Sequence, residues 1–254
     1  MTVRPAYSTW FLHQKLHPQP RLRLFCFPYA GGTASAFLNW SSYLPPGVEV
    51  WPLQLPGRQN RFSEPPATQI STLVQAMTPA LQEYLDIPFA FFGYCMGAHL
   101  SFELARQLRR QNCPLPEHLF FAARRAPQLP DPNPHCYRLS EPLFLRAVSN
   151  LNGLPQEFLA NKELVRMMMP TLRADFEAAE TYRYTDEEPF DCPITVFGGT
   201  DDYSVTSDEL VAWHHQTTGT FRFHLFPGDH FFIHSHQANL LKTISGEITQ
   251  IIGD

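Results

Sequence analysis

No stretch of this chain is apolar for long enough to cross a bilayer. The longest uncharged apolar run, Ile87–Ala98, is a dozen residues and contains Pro88 and two glycines, whereas a spanning helix needs roughly twenty. No membrane role is expected. The first fifteen residues, MTVRPAYSTWFLHQK, also lack the compact apolar core and small-residue cleavage site of a secretory leader. Cysteine is sparse: Cys26, Cys95, Cys113, Cys136 and Cys192 are odd in number and widely spaced, with no C-x-x-C pair. That pattern favours neither a disulfide framework nor a zinc site, and it fits a reducing, cytoplasmic setting. Charge is thin as well. With 17% charged residues and a net charge of −5, the chain has no basic footprint for nucleic acid. Histidines do pair up at His214-His215 and at His234-Ser235-His236. No H-E-x-x-H or mixed Cys/His cluster accompanies them, so no metal is expected.

What is present is a chain of 254 residues, 44% hydrophobic, long enough to bury a substantial core as one domain, 1–254. Short apolar runs rich in aromatic and β-branched residues recur as candidate strands. They are Leu22–Phe27, Val48–Leu53, Phe89–Phe92, Leu119–Ala123, Ile194–Gly198 and Phe221–Phe226. Several are apolar at nearly every position, as strands covered on both faces should be. Helical spacing of apolar residues falls at Ile70–Leu85, Ala98–Arg110, Asp208–His214 and Gln237–Ile252. The alternation predicts an α/β fold: a mostly parallel sheet with helices on both faces.

One region breaks the alternation. A proline-rich stretch from Gln128 to Pro142 precedes the helical segments Leu143–Leu151, Lys162–Met169 and Thr171–Tyr184, with no strand between them. About 128–185 therefore reads as a helical lid inserted over one end of the sheet, where ligands bind in such folds. An ordinary packing subdomain is the alternative.

The most informative stretch is FFGYCMGAHLSFELAR, from Phe91 to Arg106. A G-x-nucleophile-x-G sequence between a strand and a helix places a reactive side chain on a sharp, strained turn, and the small neighbours let the chain pass closely. Here Gly93 and Gly97 flank Cys95. Most free cysteines are small buried hydrophobes, but this setting favours a nucleophile, which then needs a base and an orienting group. In an α/β-hydrolase these follow in the order nucleophile, acid, histidine. ITVFGGTDDYSV sets Asp201 and Asp202 just after a candidate strand, and LFPGDHFF sets His230 in a tight turn after the last one. Asp202 is preferred because it falls in G-x-x-D-x-x-V; Asp201 is the candidate cap for the helix starting near Ser207. The chain order is Cys95, Asp202, His230.

Several segments together resemble the type II thioesterases that accompany nonribosomal peptide and polyketide synthases. They are FPYAGG (Phe27–Gly32), LQLPGRQNRF (Leu53–Phe62), the Cys95 turn, RRAPQLP (Arg124–Pro130), PTLRADFEAAETYRY (Pro170–Tyr184), FGGTDD (Phe197–Asp202) and FPGDHFF (Phe226–Phe232). The likeness runs from about residue 22 to about residue 240. It implies a discrete α/β-hydrolase with a small helical lid, which removes acyl or aminoacyl groups from the phosphopantetheine arm of an acyl or peptidyl carrier protein. It also implies a monomer with no cofactor of its own. Carried over by position, it makes Cys95 the nucleophile, His230 the base and Asp202 its orienter. An oxyanion hole would come from the backbone N–H groups of Ala30 and Met96, which agrees with the donors such a turn and an early loop can offer.

The departure is the thiol, because that family normally carries serine at the position of Cys95. A thiol ionises more easily and can pair as thiolate with the His230 imidazolium. An acyl-cysteine is itself a thioester, so transfer onward to another carrier or to an amine stays reversible. Acyl or aminoacyl transfer is therefore the alternative to hydrolysis. Carriers are acidic as a rule, and Arg109, Arg110, Arg124, Arg125 and Arg138 are candidates for a docking patch. Met167, Met168, Met169 and Phe176 either line an acyl channel or fill the lid core; Met167, Met168 and Phe176 are the candidate substrate contacts.

Overall fold

The computed structural model describes residues 9–12, 17–132, 135–154 and 156–253. The reading of the N-terminal segment as leaderless falls largely outside these residues, as do Asn133 and Pro134 of the proline-rich stretch.

Six strands form one sheet: β1 (Leu22–Phe27), β2 (Val48–Pro52), β3 (Phe89–Tyr94), β4 (His118–Ala122), β5 (Ile194–Gly199) and β6 (Phe221–Phe226). Their order is β2-β1-β3-β4-β5-β6, and every neighbouring pair is parallel. The helices are α1 (Ile70–Gln82), α2 (Met96–Arg110), α3 (Glu141–Asn150), α4 (Gln156–Ala160), α5 (Lys162–Glu180), α6 (Ser207–Val211), α7 (Phe232–Ser235) and α8 (Gln237–Ile252). Strand periodicity sorts the core into two layers. Phe25, Phe27, Phe89 and Phe91 pack with buried residues of α1 and α2 on one face. Leu22, Leu24, Cys26, Ala90 and Phe92 pack with Trp40 and with Leu241, Ile244 and Ile248 of α8 on the other. Both faces are thus covered, so the strands are mainly apolar, and polar residues within them are paired, as Arg23 is with Glu49 and His118 with Thr195. The architecture is that of an α/β-hydrolase.

The sheet reverses direction at β1. The chain moves from β1 outward to β2, then returns to the far side of β1 with β3. Ligand sites in open parallel sheets fall in the crevice at the carboxyl ends of such strands. The loops after β1 and β3 carry Ala30 and Cys95.

Between β4 and β5 the chain forms helices α3 to α5, a short 3-10 turn at Cys136–Arg138 and no full strand among the described residues. Phe144 and Val148 of α3 pack against Val165, Met169 and Leu172 of α5 in a small core of their own. The sequence predicts a break at Pro170, but α5 runs through it as a single helix of 19 residues. Proline in a helix interior costs roughly 3 kcal/mol, and tertiary contacts on either side offset that here. Met169 and Leu172 sit in the lid core, and the Thr171 hydroxyl donates to the Gly57 carbonyl at 2.7 Å. The candidate helix Asp208–His214 is a five-residue α6 followed by a 3-10 turn, Ala212–Gln216. Its cap is Thr206, which forms a capping box with Glu209. Asp201, the candidate cap, instead accepts from the Gly228 amide at 3.2 Å.

Candidate active site

Cys95 sits between β3 and α2 with φ 52° and ψ −115°, a conformation that non-glycine residues adopt only when their surroundings force it. The surroundings are tight. A side chain at Gly97 would overlap the Phe27 carbonyl, and one at Gly93 would overlap the Gly97 carbonyl and Ala98. The Cys95 amide donates to the Ala122 carbonyl at 2.8 Å, which anchors the turn on β4. Glycine on both sides is what allows the helix to start directly against the end of β1.

His230 follows β6 and is 5% exposed. Asp202 Oδ2 lies 2.8 Å from His230 Nδ1. A residue that the sequence does not single out completes this group. The Ser204 hydroxyl donates to Asp202 Oδ1 at 2.6 Å and stands 3.0 Å from His230 Nδ1, and its amide donates to the same carboxylate oxygen at 2.9 Å. Tyr94, the residue before Cys95, donates its buried hydroxyl to the His230 carbonyl at 2.6 Å. The two loops are therefore tied together through the side chain adjoining the thiol. His230 Nε2 is buried and completes no hydrogen bond in this geometry, as is common before substrate tightens a site.

The electrostatics couple these groups. Burial alone would raise the Cys95 thiol, but the nearby His230 charge, helped by Arg124 and the Met96 amide, holds it below the ordinary thiol value. Burial would lower the His230 imidazole. The Cys95 charge and the Asp202 carboxylate outweigh it and raise the imidazole above its usual value. Burial pushes the Asp202 carboxyl up, and the His230 and Ser204 hydrogen bonds bring it below normal. All three directions favour a thiolate, an imidazolium and a carboxylate in line. The Ala30 amide donates to no backbone acceptor among the described residues, whereas the Met96 amide acts on the Cys95 thiol. The neighbouring Gly31 amide donates to Asp175 Oδ2 at 2.7 Å.

Beside Cys95 and His230 opens a cavity of about 620 Å³. Helices α3 to α5 and the loops between them supply half of its wall, including Val148, Leu154, Phe158 and Leu172, and the structure places Met167, Met168 and Phe176 there too. Met169 turns instead into the lid core. The lid is held over the cavity at both ends. Asp175 of α5 forms a two-pronged pair with Arg58, at 2.6 and 2.7 Å, with both side chains buried. At the other end Asn152 donates to Asp229 Oδ2, next to His230, at 2.8 Å.

The candidate arginine patch does not form. Arg109 and Arg110 are paired with Glu187. Arg124 donates to the Ala179 carbonyl at 2.9 Å. Arg125 is 4% exposed and paired with Asp131 and Glu209. Only Arg138 of the five is on the surface without an ion pair. Glu187 and Glu209, far off in sequence, and Asp131, a few positions on, pair with the other four, which residue type and local clustering cannot reveal.

A strained turn between strand and helix, with a thiol, an imidazole and a carboxylate in α/β-hydrolase order beside a lidded cleft, defines an α/β-hydrolase enzyme. The thioesterase domain family matches residues 22–248, and the chain belongs to that family. It is 40% identical over 252 residues to the gramicidin S biosynthesis protein GrsT of Aneurinibacillus migulanus, covering 99% of this chain and 98% of that one. It is 43% identical over 244 residues to the linear gramicidin dehydrogenase LgrE of Brevibacillus parabrevis, covering 95% and 93%. Among solved structures it resembles the type II thioesterase BorB from the borrelidin biosynthetic cluster, with a TM-score of 0.82 at 34% identity, covering 95% of this chain and 97% of that one. One relative is named a dehydrogenase, but the family matched over nearly the whole chain is a thioesterase family. The protein is a thioester hydrolase of the type II thioesterase kind.

Proposed function

We propose that the protein clears acyl groups from the phosphopantetheine arms of carrier proteins through a covalent acyl-Cys95 intermediate. In this reading Cys95 is the nucleophile, His230 the general base and acid, and Asp202 the group that orients and charges the imidazole. The Cys95 thiolate attacks the thioester carbonyl, whose oxygen becomes an oxyanion at the Ala30 and Met96 amides. Collapse breaks the bond to the pantetheine sulfur, which leaves with the proton carried on His230 Nε2. His230 then removes a proton from water. The resulting hydroxide attacks the acyl-cysteine, collapse releases the carboxylic acid, and the proton held on His230 balances the thiolate left at Cys95. Ser204 keeps Asp202 and His230 in register throughout. The observation that carries the reading is the His230–Asp202 contact of 2.8 Å behind a thiol on a strained turn. Relatives from gramicidin and borrelidin biosynthesis support a carrier protein as partner.

Serine is usual in this family, and Cys95 favours a second outcome. A serine ester lies downhill of a pantetheine thioester, whereas an acyl-cysteine does not, so the same intermediate can return its acyl group to a second carrier thiol. The two outcomes separate in one assay. A carrier bearing a labelled acyl group is mixed with the protein, with and without an empty second carrier, and intact masses are followed. Hydrolysis yields free acid whether or not the second carrier is present. Label on that carrier identifies transfer, and absence of any label on Cys95 removes the reading.

A further inference from the structure

The loop after β1 reaches the cavity as a tight turn. The Gly32 amide donates to the Tyr29 carbonyl at 2.8 Å, and Gly31 between them has φ 75°, the left-handed value that such turns reserve for glycine. The ends of the loop have anchors of their own. The Tyr29 hydroxyl stands 3.1 Å from His234 Nε2, and the Ala34 amide donates to Gln54 Oε1 at 3.1 Å. Its middle is held by parts of the chain far off in sequence. Asp175 of α5 accepts from the Gly31 amide at 2.7 Å, and Arg58 donates to the Gly32 carbonyl at 3.0 Å. Leu172, one turn earlier on α5, closes the same spot, since a side chain on Gly31 would overlap its Cδ1.

These contacts bear on the amide next door. Asp175 occupies the Gly31 N–H, while the Ala30 N–H beside it has no backbone acceptor among the described residues. An oxyanion donor works by being fixed in place before charge develops, so what pins the turn also sets the donor. A bare carboxylate here would oppose an oxyanion at Ala30. The two prongs of Arg58, at 2.6 and 2.7 Å, cancel that charge.

Resting on the proposed acyl-Cys95 chemistry, we infer that Asp175, with Arg58 as its counter-charge, is a positioning residue for the oxyanion site. Helix α5 sets the Ala30 amide through the Gly31 and Gly32 contacts, so the lid does more than cover the acyl group. A turn released from α5 keeps the Cys95 thiolate and loses activation of the carbonyl.

Two reactions of the same sulfur separate this role from ordinary stability. Attack on a thioester moves the carbonyl electron pair onto oxygen and needs the Ala30 donor. Attack on iodoacetamide expels iodide from a saturated carbon and forms no oxyanion. Arg58→Met with Asp175→Leu removes both contacts to the turn while sparing the fold an unpaired buried charge. With protein in excess and below its melting temperature, consumption of hexanoyl-N-acetylcysteamine is expected to slow about 10- to 100-fold, the scale of a displaced or lost oxyanion donor. The rate and pH profile of Cys95 alkylation are expected to match those of the unaltered protein. Asp175→Glu keeps both charges and moves the carboxylate by one methylene group, so a smaller loss confined to the thioester is expected. Asp175 lies behind the cavity wall, which puts that loss in the maximal rate and not in the half-saturating concentration. Unchanged thioester consumption in either variant that keeps its fold, or equal slowing of both reactions, overturns the inference while leaving the acyl-Cys95 chemistry intact. No consumption by the unaltered protein, with no mass added at Cys95, overturns both.

Discussion

Asp175→Asn removes one charge from the side chain that ties helix α5 to both the β1 loop and the Arg58 loop. The structure sets the size of the effect. Asp175 and Arg58 are 2% and 1% exposed at their side chains, and the two bonds between them are 2.6 and 2.7 Å. Breaking such a buried pair from one side leaves an uncompensated guanidinium, at a cost of about 3–5 kcal/mol. The asparagine also weakens the acceptor of the Gly31 amide. A domain of this length loses roughly 2–4 °C of melting temperature per kcal/mol, so a fall of about 10 °C is expected. Thermal unfolding measures that fall, and urea titration followed by tryptophan fluorescence measures the free-energy loss, with the slope compared between variants to confirm that the same surface is exposed. Replacing both partners by apolar residues, Arg58→Met with Asp175→Leu, is expected to recover most of the loss. A loss below about 1 kcal/mol for Asp175→Asn would refute the assignment, because an exposed pair contributes no more than that.

Two further expectations follow from the site. Gly97→Ala puts a methyl group into the Phe27 carbonyl, a backbone atom that cannot move aside, so the variant is expected to be destabilised by more than about 4 kcal/mol, and a native-like melting curve would count against the close approach. The pH dependence of Cys95 alkylation by iodoacetamide reads the ion pair: with the thiol lowered and the imidazole raised, the thiolate persists below the ordinary thiol range and is lost only as pH falls through the lowered value. Asp202→Asn takes away a charge that raises the imidazole, so His230 gives up its proton at lower pH and the alkylation profile moves upward toward that of a free thiol; an unmoved profile would separate Asp202 from the site's electrostatics.

Much of the architecture was readable because each element carries its own local signal. β1, β6 and α8 have the expected bounds, since apolar runs and helical spacing end where charge or turn residues begin. The Cys95 turn was readable for a different reason: two glycines at fixed offsets are a steric requirement written into adjacent positions. What escaped has long-range causes. Pro170 signals a break, and only the packing of Met169 and Leu172 explains why α5 passes through it. Ser204 has no motif of its own and matters because β6 returns His230 to its side. Arg109, Arg110, Arg124 and Arg125 look like a surface patch until the fold brings Glu187, Asp131 and Glu209 to them. The Arg58–Asp175 pair spans 117 positions, and no local pattern announces it.

The identity of the acylated atom tests the account most directly. The protein is mixed with an acyl thioester, quenched in acid within milliseconds to seconds, digested and mapped by mass spectrometry. The account predicts one acyl group per chain, on Cys95 and on none of Cys26, Cys113, Cys136 or Cys192, with both label and turnover lost in Cys95→Ala. Turnover that survives in Cys95→Ala, or an acyl group that maps to another residue while Cys95 stays free, would contradict it.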